Sequence, residues 1–132
     1  MHISASVRNS RAIHEVTVST GDSPKNLDIP GRATGCGSSV NGGEFLMLAL
    51  ATCYCNDLYR EAARLQINID SVEVEASADF EGIGLAATNI RYRAKVVSSS
   101  PDADVAKLLQ ETDAVAEIHN TLRAGVAVLR EP

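Results

Sequence analysis

The period of apolar and polar residues changes several times along this chain, and each change marks a predicted element. Ile3, Ala5 and Val7 alternate with polar residues, and after Asn9-Ser10 a second alternation puts His14, Val16 and Val18 on one face of a strand over about 13–19. Alternation with period two is the mark of a strand with one covered face. Gly21-Asp22-Ser23-Pro24 predicts a turn, and Leu27 to Ile29 a short third strand. Gly31 to Gly43 holds five glycines and two serines and reads as a loop able to approach another group closely. Asn41 then caps a helix of roughly 42–65. Phe45 to Ala51 is apolar without a break, so the helix is expected to be covered all round there. Past Cys53 and Cys55 it turns amphipathic at Asn56, Asp57, Arg60 and Glu61, and Gln66 to Asp70 is a short link.

The second half alternates again. Val72, Val74, Ala76, Ala78 and Phe80 are interleaved with Glu73, Glu75, Ser77 and Asp79, while Ile90, Tyr92, Ala94 and Val96 are interleaved with Arg91, Arg93 and Lys95. An acidic face on one strand and a basic face on the next predict an antiparallel pair matched by charge. Ser100-Pro101-Asp102 predicts a helix start, with Ser100 as N-cap and Pro101 at the first helical position. Val105, Leu108 and Leu109 form its apolar stripe, Thr112-Asp113 restarts a shorter helix through His119, and Val126 to Arg130 closes the chain as a strand. With no internal repeat, this order predicts one domain over residues 1–132 of the α+β class, with two helices packed on a largely antiparallel sheet.

Composition narrows the function classes. At 45% apolar and 22% charged, the chain has the makings of a packed core. Aromatics make up 4% and there is no Trp, which disfavours base stacking. The net charge of -5, without a basic stripe, disfavours nucleic acid and anionic membrane as partners. The apolar run at 45–51 is too short to span a bilayer, and the N-terminus lacks the apolar stretch of a secretion signal. The expectation is a cytoplasmic, reducing compartment. Three cysteines, an odd number, fit free or redox-active thiols better than a disulfide framework.

Candidate chemistry centres on the long helix. Cys53 and Cys55 stand about 200° apart around its axis, so they cannot bridge one another within the helix and make a poor metal pair. No metal or cofactor is expected. A buried free cysteine is most often a small hydrophobe; a nearby guanidinium would instead make it a reactive thiolate. Arg8, Arg11 and Arg32 are the candidate cations, each also readable as a solvated surface charge. Asn41-x-x-Glu44 has capping-box spacing, which accounts for Glu44 unless it holds an arginine beside the thiol. Cys36, flanked by Gly35 and Gly37, is a candidate to resolve an oxidised Cys53, as is Cys55. His14 on a strand face and His119 at a predicted helix end are candidate cleft residues, with a core histidine and a dipole-matched helix C-terminus as their plainer readings.

The stretch Asn41-Gly-Gly-Glu44-Phe-Leu-Met-Leu-Ala-Leu-Ala-Thr-Cys53 resembles the central-helix motif of the OsmC-like family, which takes in osmotically induced and organic hydroperoxide resistance proteins. Ala116-Glu-Ile-His119-Asn120-Thr121-Leu122 resembles its second motif. The resemblance implies an α+β fold in which mostly antiparallel sheets wrap around two central helices in an intertwined homodimer. It implies a helix cysteine, matched by Cys53, that attacks a peroxide. An arginine of the N-terminal strand region, matched by Arg8 or Arg11, and a glutamate at the helix start organise that cysteine, and a second cysteine resolves the sulfenic acid. Glu44 matches the glutamate loosely: hydroperoxide resistance members carry theirs one residue earlier, at the position of Gly43 here. The second cysteine falls at Ala116 and is missing. Two functions follow as expectations. One is a thiol peroxidase that reduces organic hydroperoxides through Cys53 with help from Cys36, Cys55 or an external thiol reductant. The other is a non-catalytic protein of the same fold that binds a small apolar ligand or serves in stress.

Overall fold

The computed structural model describes all residues from Met1 to Pro132. The chain divides into two compact units, Met1–Phe45 and Leu46–Pro132.

The first unit is an antiparallel sheet of β1 (Ile3–Asn9), β2 (His14–Thr20) and β3 (Ser23–Leu27), in the order β1-β2-β3. Val7 pairs with Val16 and Val16 with Leu27, while Ala5 pairs with Val18. Paired residues share a face, so one face carries Ile3, Ala5, Val7, Val16, Val18 and Leu27, and the other carries Ser4, Ser6, Arg8, Glu15 and Thr17. The third strand begins earlier than the expected Leu27–Ile29. The β2–β3 turn is as tight as Thr20↔Ser23 pairing allows, with Gly21 at φ 55°, and Ser23-Pro24 already belongs to the ladder. Pro24 is tolerated because β3 is an edge strand.

The long helix α1 runs Gly42–Leu65, as its pattern predicts. Its start is a reciprocal capping box: the Glu44 N–H donates to Asn41 Oδ1 at 2.8 Å, and the Asn41 N–H donates to Glu44 Oε1 at 3.0 Å.

In the second unit, β4 (Ser71–Asp79) and β5 (Thr88–Val97) pair antiparallel with the expected charge match. Glu73 faces Lys95, and Glu75 faces Arg93 with a 2.5 Å ion pair. Their inner face (Val72, Val74, Tyr92, Ala94, Val96) packs on a core of Tyr54, Leu58, Ala62, Leu108 and Ala116. These core residues come from α1, from α2 (Asp102–Val115) and from the residue before α3 (Glu117–Ala124).

Several expectations are corrected here. Pro101, not Ser100, is the N-cap of α2, and no side chain caps it; Ser100 Oγ instead accepts the Asn68 N–H at 3.1 Å. The helix breaks at Ala116 rather than restarting at Thr112, which lies fully buried inside α2 and donates to Leu108 O at 2.7 Å. Residues 126–130 form no strand, because no ladder partner reaches them. The stretch 45–51 is not covered all round in one chain: Leu50 is 2% exposed but Leu48 is 57% exposed.

Candidate functional site

Residues 53, 57, 60, 61 and 64 recur on α1 at spacings of three and four, which places them on one face. That face carries an ionic stripe joined to both following helices. The Cys53 thiol donates to Asp57 Oδ2 at 3.5 Å and to Glu117 Oε2 of α3 at 3.7 Å. Arg60 Nη1 lies 3.0 Å from Asp57 Oδ1 and 3.3 Å from Glu117 Oε1, so one guanidinium clamps both carboxylates beside the sulfur. Its Nε also donates to Glu61 Oε2 at 3.3 Å. Arg64 continues the stripe, 3.0 Å from Glu61 and 2.6 Å from Glu111 of α2. Asp57 and Glu61, polar residues of the amphipathic half of the helix, are buried. They are tolerated there because each has an arginine partner.

The electrostatics run against a spontaneously ionised thiol. Burial pushes the Cys53 thiol up, and the charges of Asp57 and Glu117 add to it. Of the two carboxyls, burial and its hydrogen bond with Glu117 push Asp57 up. Glu117 is held down, first by its own backbone N–H and then by Asp57 and Arg60. Asp57 is thus both the neighbour that opposes a thiolate and the acceptor placed to receive its proton. Cys53 Sγ and carboxylate oxygens of Asp57 and Glu117 lie within 4.8 Å of one another, a donor set that could hold a metal ion. Arg60 already neutralises both carboxylates and would compete with one.

The other candidates fall as follows. Cys55 is half-buried and Cys36 exposed; like Cys53, both are free thiols. Arg8 pairs with Glu15 across the β1–β2 ladder at 3.6 Å on the exposed face. Arg11 is exposed in the β1–β2 turn. Glu44 is engaged in the capping box. His14 Nδ1 meets Asn9 Nδ2 at 2.9 Å, and its Nε2 is buried without a partner. Asn9 also accepts the Gly37 N–H at 3.0 Å, which ties the Gly35-Cys36-Gly37 loop to β1; Gly37 is at φ 109°, a conformation that suits glycine.

His119 is not at a helix C-terminus. It is the third residue of α3, 3% exposed, with its ring 4.4 Å from that of Tyr92 and 5.7 Å from that of Tyr54, centroid to centroid. Tyr54 donates to Leu109 O at 2.7 Å, and burial pushes its hydroxyl up to about 12. Tyr92 donates to Asp113, which also pairs with Arg123 at 2.8 Å. His119 lines a cleft of about 240 Å³ together with Leu50, Ile90, Tyr92, Leu122 and Arg123. A larger depression of about 670 Å³ over Glu75, Ser77, Arg91 and Arg93 is an open, charged strand surface.

Sequence reasoning missed Asp57, Arg60 and Glu117 as neighbours of Cys53. The i, i+4, i+7 spacing of the first two after Cys53 was a usable signal. Nothing local announced Glu117, which arrives through the packing of α3.

No curated protein matches this sequence at a significant level. Solved structures do match its fold. An OsmC-like protein from Mycoplasma pneumoniae superposes with a TM-score of 0.63 at 17% identity, over 92% of this chain and 86% of that one. An organic hydroperoxide resistance protein from Elizabethkingia anophelis gives 0.63 at 15% identity, over 97% and 92%. The organic hydroperoxide resistance protein OhrB of Bacillus subtilis gives 0.54 at 20% identity, over 97% and 95%. At these identities the likeness concerns the fold. The sequence model of the OsmC-like protein family matches residues 35–129, the span that holds α1 with Cys53, the β4–β5 pair, α2 and α3, and on that match the chain belongs to the OsmC-like family.

Proposed function

We propose that this chain is a thiol-dependent redox protein that reduces organic hydroperoxides through Cys53 in a one-cysteine cycle. The observation that carries the proposal is the setting of that sulfur: of the three cysteines, Cys53 is the one whose thiol hydrogen-bonds to carboxylates, with Asp57 at 3.5 Å as proton acceptor. The sulfur, its proton passed to Asp57, attacks the terminal peroxide oxygen. The O–O bond breaks, sulfur is oxidised to the sulfenic acid, and the alkoxide leaves as the alcohol with a proton. Arg60, shared between Asp57 and Glu117, offsets the negative charge that develops. Arg8 or Arg11, with Glu44, is a second set of organising residues that the family resemblance offers. Ala116 stands where the resemblance puts a resolving cysteine. An external thiol therefore condenses with the sulfenic acid to a mixed disulfide and water, and a second thiol releases Cys53. Cys36 and Cys55 are the internal alternatives. Free cysteines suit a reducing, cytoplasmic setting, and no helix is long and apolar enough to cross a membrane. The apolar side chains left open on β1 and α1 support a homodimer.

The test is turnover of an organic hydroperoxide with a small thiol reductant, alongside peptide mapping of the oxidised protein. Cys53→Ser should abolish turnover; turnover that survives it removes the thiol mechanism. Loss of turnover in Cys36→Ser would make Cys36 the resolving thiol in place of the external one.

A second reading, a binding protein that keeps the fold without the reaction, is favoured by one observation: burial and two carboxylates hold the Cys53 thiol up, towards its unreactive form. Hydroperoxide treatment that leaves Cys53 unmodified would select this reading.

A further inference from the structure

His119 is among the most enclosed polar side chains of the molecule, and neither of its ring nitrogens has a hydrogen-bond partner. Buried polar groups in folded proteins are nearly always satisfied, so each exception calls for an explanation. Here the exception coincides with a cavity: the same imidazole forms part of the wall of the 240 Å³ cleft between β5, α1 and α3. The remaining wall is mostly apolar, from Leu50, Ile90 and Leu122 and the ring of Tyr92. The two charged groups nearby cancel, since Arg123 at the cleft is paired with Asp113 at 2.8 Å. Tyr92 is no free donor either, because its hydroxyl is committed to Asp113.

From these constraints we infer that the cleft is a binding site for a small neutral molecule with an apolar body and one hydroxyl group, which hydrogen-bonds to His119. A neutral imidazole offers one N–H donor and one bare nitrogen acceptor, and burial favours that neutral form. A hydroxyl matches such a ring because it can donate or accept at either nitrogen. A carboxylate can only accept, and it would meet Asp113 behind an already paired Arg123. The volume lies below the range of roughly 300–1,000 Å³ usual for drug-sized ligands, which sets the size at a single ring or a short branched chain. The nitrogens of His119 are closed to solvent in this conformation, so the proposed binding requires the tyrosine rings against it to shift. The site depends on neither reading of Cys53, and its test reads binding alone, so the hydroperoxide assay can fail without touching it.

The experiment titrates the full-length protein, in whatever assembly it forms, with benzyl alcohol, toluene and benzoate, followed by imidazole NMR resonances and ligand-observed saturation transfer. Benzyl alcohol is expected to bind and to shift the His119 ring signals. Toluene, which lacks the hydroxyl, should bind at least about tenfold more weakly, and benzoate should not compete. His119→Leu should lose the preference for benzyl alcohol over toluene. Leu122→Trp, at the rim and therefore safer for folding, should block both ligands while leaving the imidazole in place. The inference is overturned if benzyl alcohol leaves the His119 signals unmoved at millimolar concentration, including because a second chain fills the cleft. It is equally overturned if Leu122→Trp binds as the parent does.

Discussion

The two units of this chain solve the same problem with unequal success. Both contain antiparallel strands with one apolar and one polar face. In the second unit the apolar face of β4–β5 is packed against a core in which Leu58, Leu108 and Ala116 are fully buried. In the first, β1 and β3 are exposed throughout, and Val16 is the one buried residue of the sheet. Ile3 and Val7, which lie on its apolar face, remain 66% and 64% exposed. The strands are equally well patterned, so patterning is not what differs. The second unit supplies its own helices as cover, whereas the first is strands and loops with only the opening turn of α1 and has no helix of its own to lay on its apolar face. Exposed apolar side chains on one strand face are what a protein interface would cover, which is why a homodimer is proposed.

The comparison is tested most severely in the covered core. Leu58→Ala removes a fully buried side chain and should cost about 3 kcal/mol by denaturant unfolding; a cost below about 1 kcal/mol would mean that the second unit is no better packed than the first. Val7→Asp should reverse the assembly, giving a monomer by light scattering at micromolar concentration where the parent is a dimer. If the parent is itself a folded monomer, the open face is no interface and the proposed homodimer fails. Asn41→Ala, which removes one half of the capping box, should cost ~1 kcal/mol, and retained stability would free Glu44 for another role.

The smallest effect is electrostatic. The thiol of Cys53 is pushed up, so its thiolate fraction is low at neutral pH and should grow only above the ordinary thiol range. Alkylation of Cys53 should therefore lag at pH 7 and rise steeply in alkali. Glu117→Gln, which removes one of the opposing charges, should speed it severalfold at neutral pH without changing the rate at Cys36. Mass spectrometry of labelled peptides reads all three cysteines at once, and an unchanged or slower Cys53 would contradict the assigned role of Glu117.

Most of the element order was legible because it depends on local spacing. The alternations at 3–7 and 72–78, the capping box at 41–44 and the apolar stripe at 105–109 each state a period that one element satisfies. The misread ends were places where local chemistry has competing uses. Ser100 reads as a cap but spends its hydroxyl oxygen on Asn68, and Thr112 reads as a helix start but its hydroxyl returns to Leu108 inside α2. Val126 and Val128 alternate like a strand but find no ladder.

For the site, the family motif pointed to Cys53, and His119 was one of two candidate cleft residues. The sequence could not supply their surroundings. Asp57 and Arg60 are joined to Cys53 and to each other by helical period, yet the second carboxylate beside the sulfur comes only with α3, which brings Glu117 across 64 residues. The same holds for His119, whose enclosure comes from tyrosines on α1 and β5. The division has one physical cause. Backbone periodicity is a property of neighbours along the chain, whereas desolvation and charge at a buried group are set by whatever packing brings within a few ångströms.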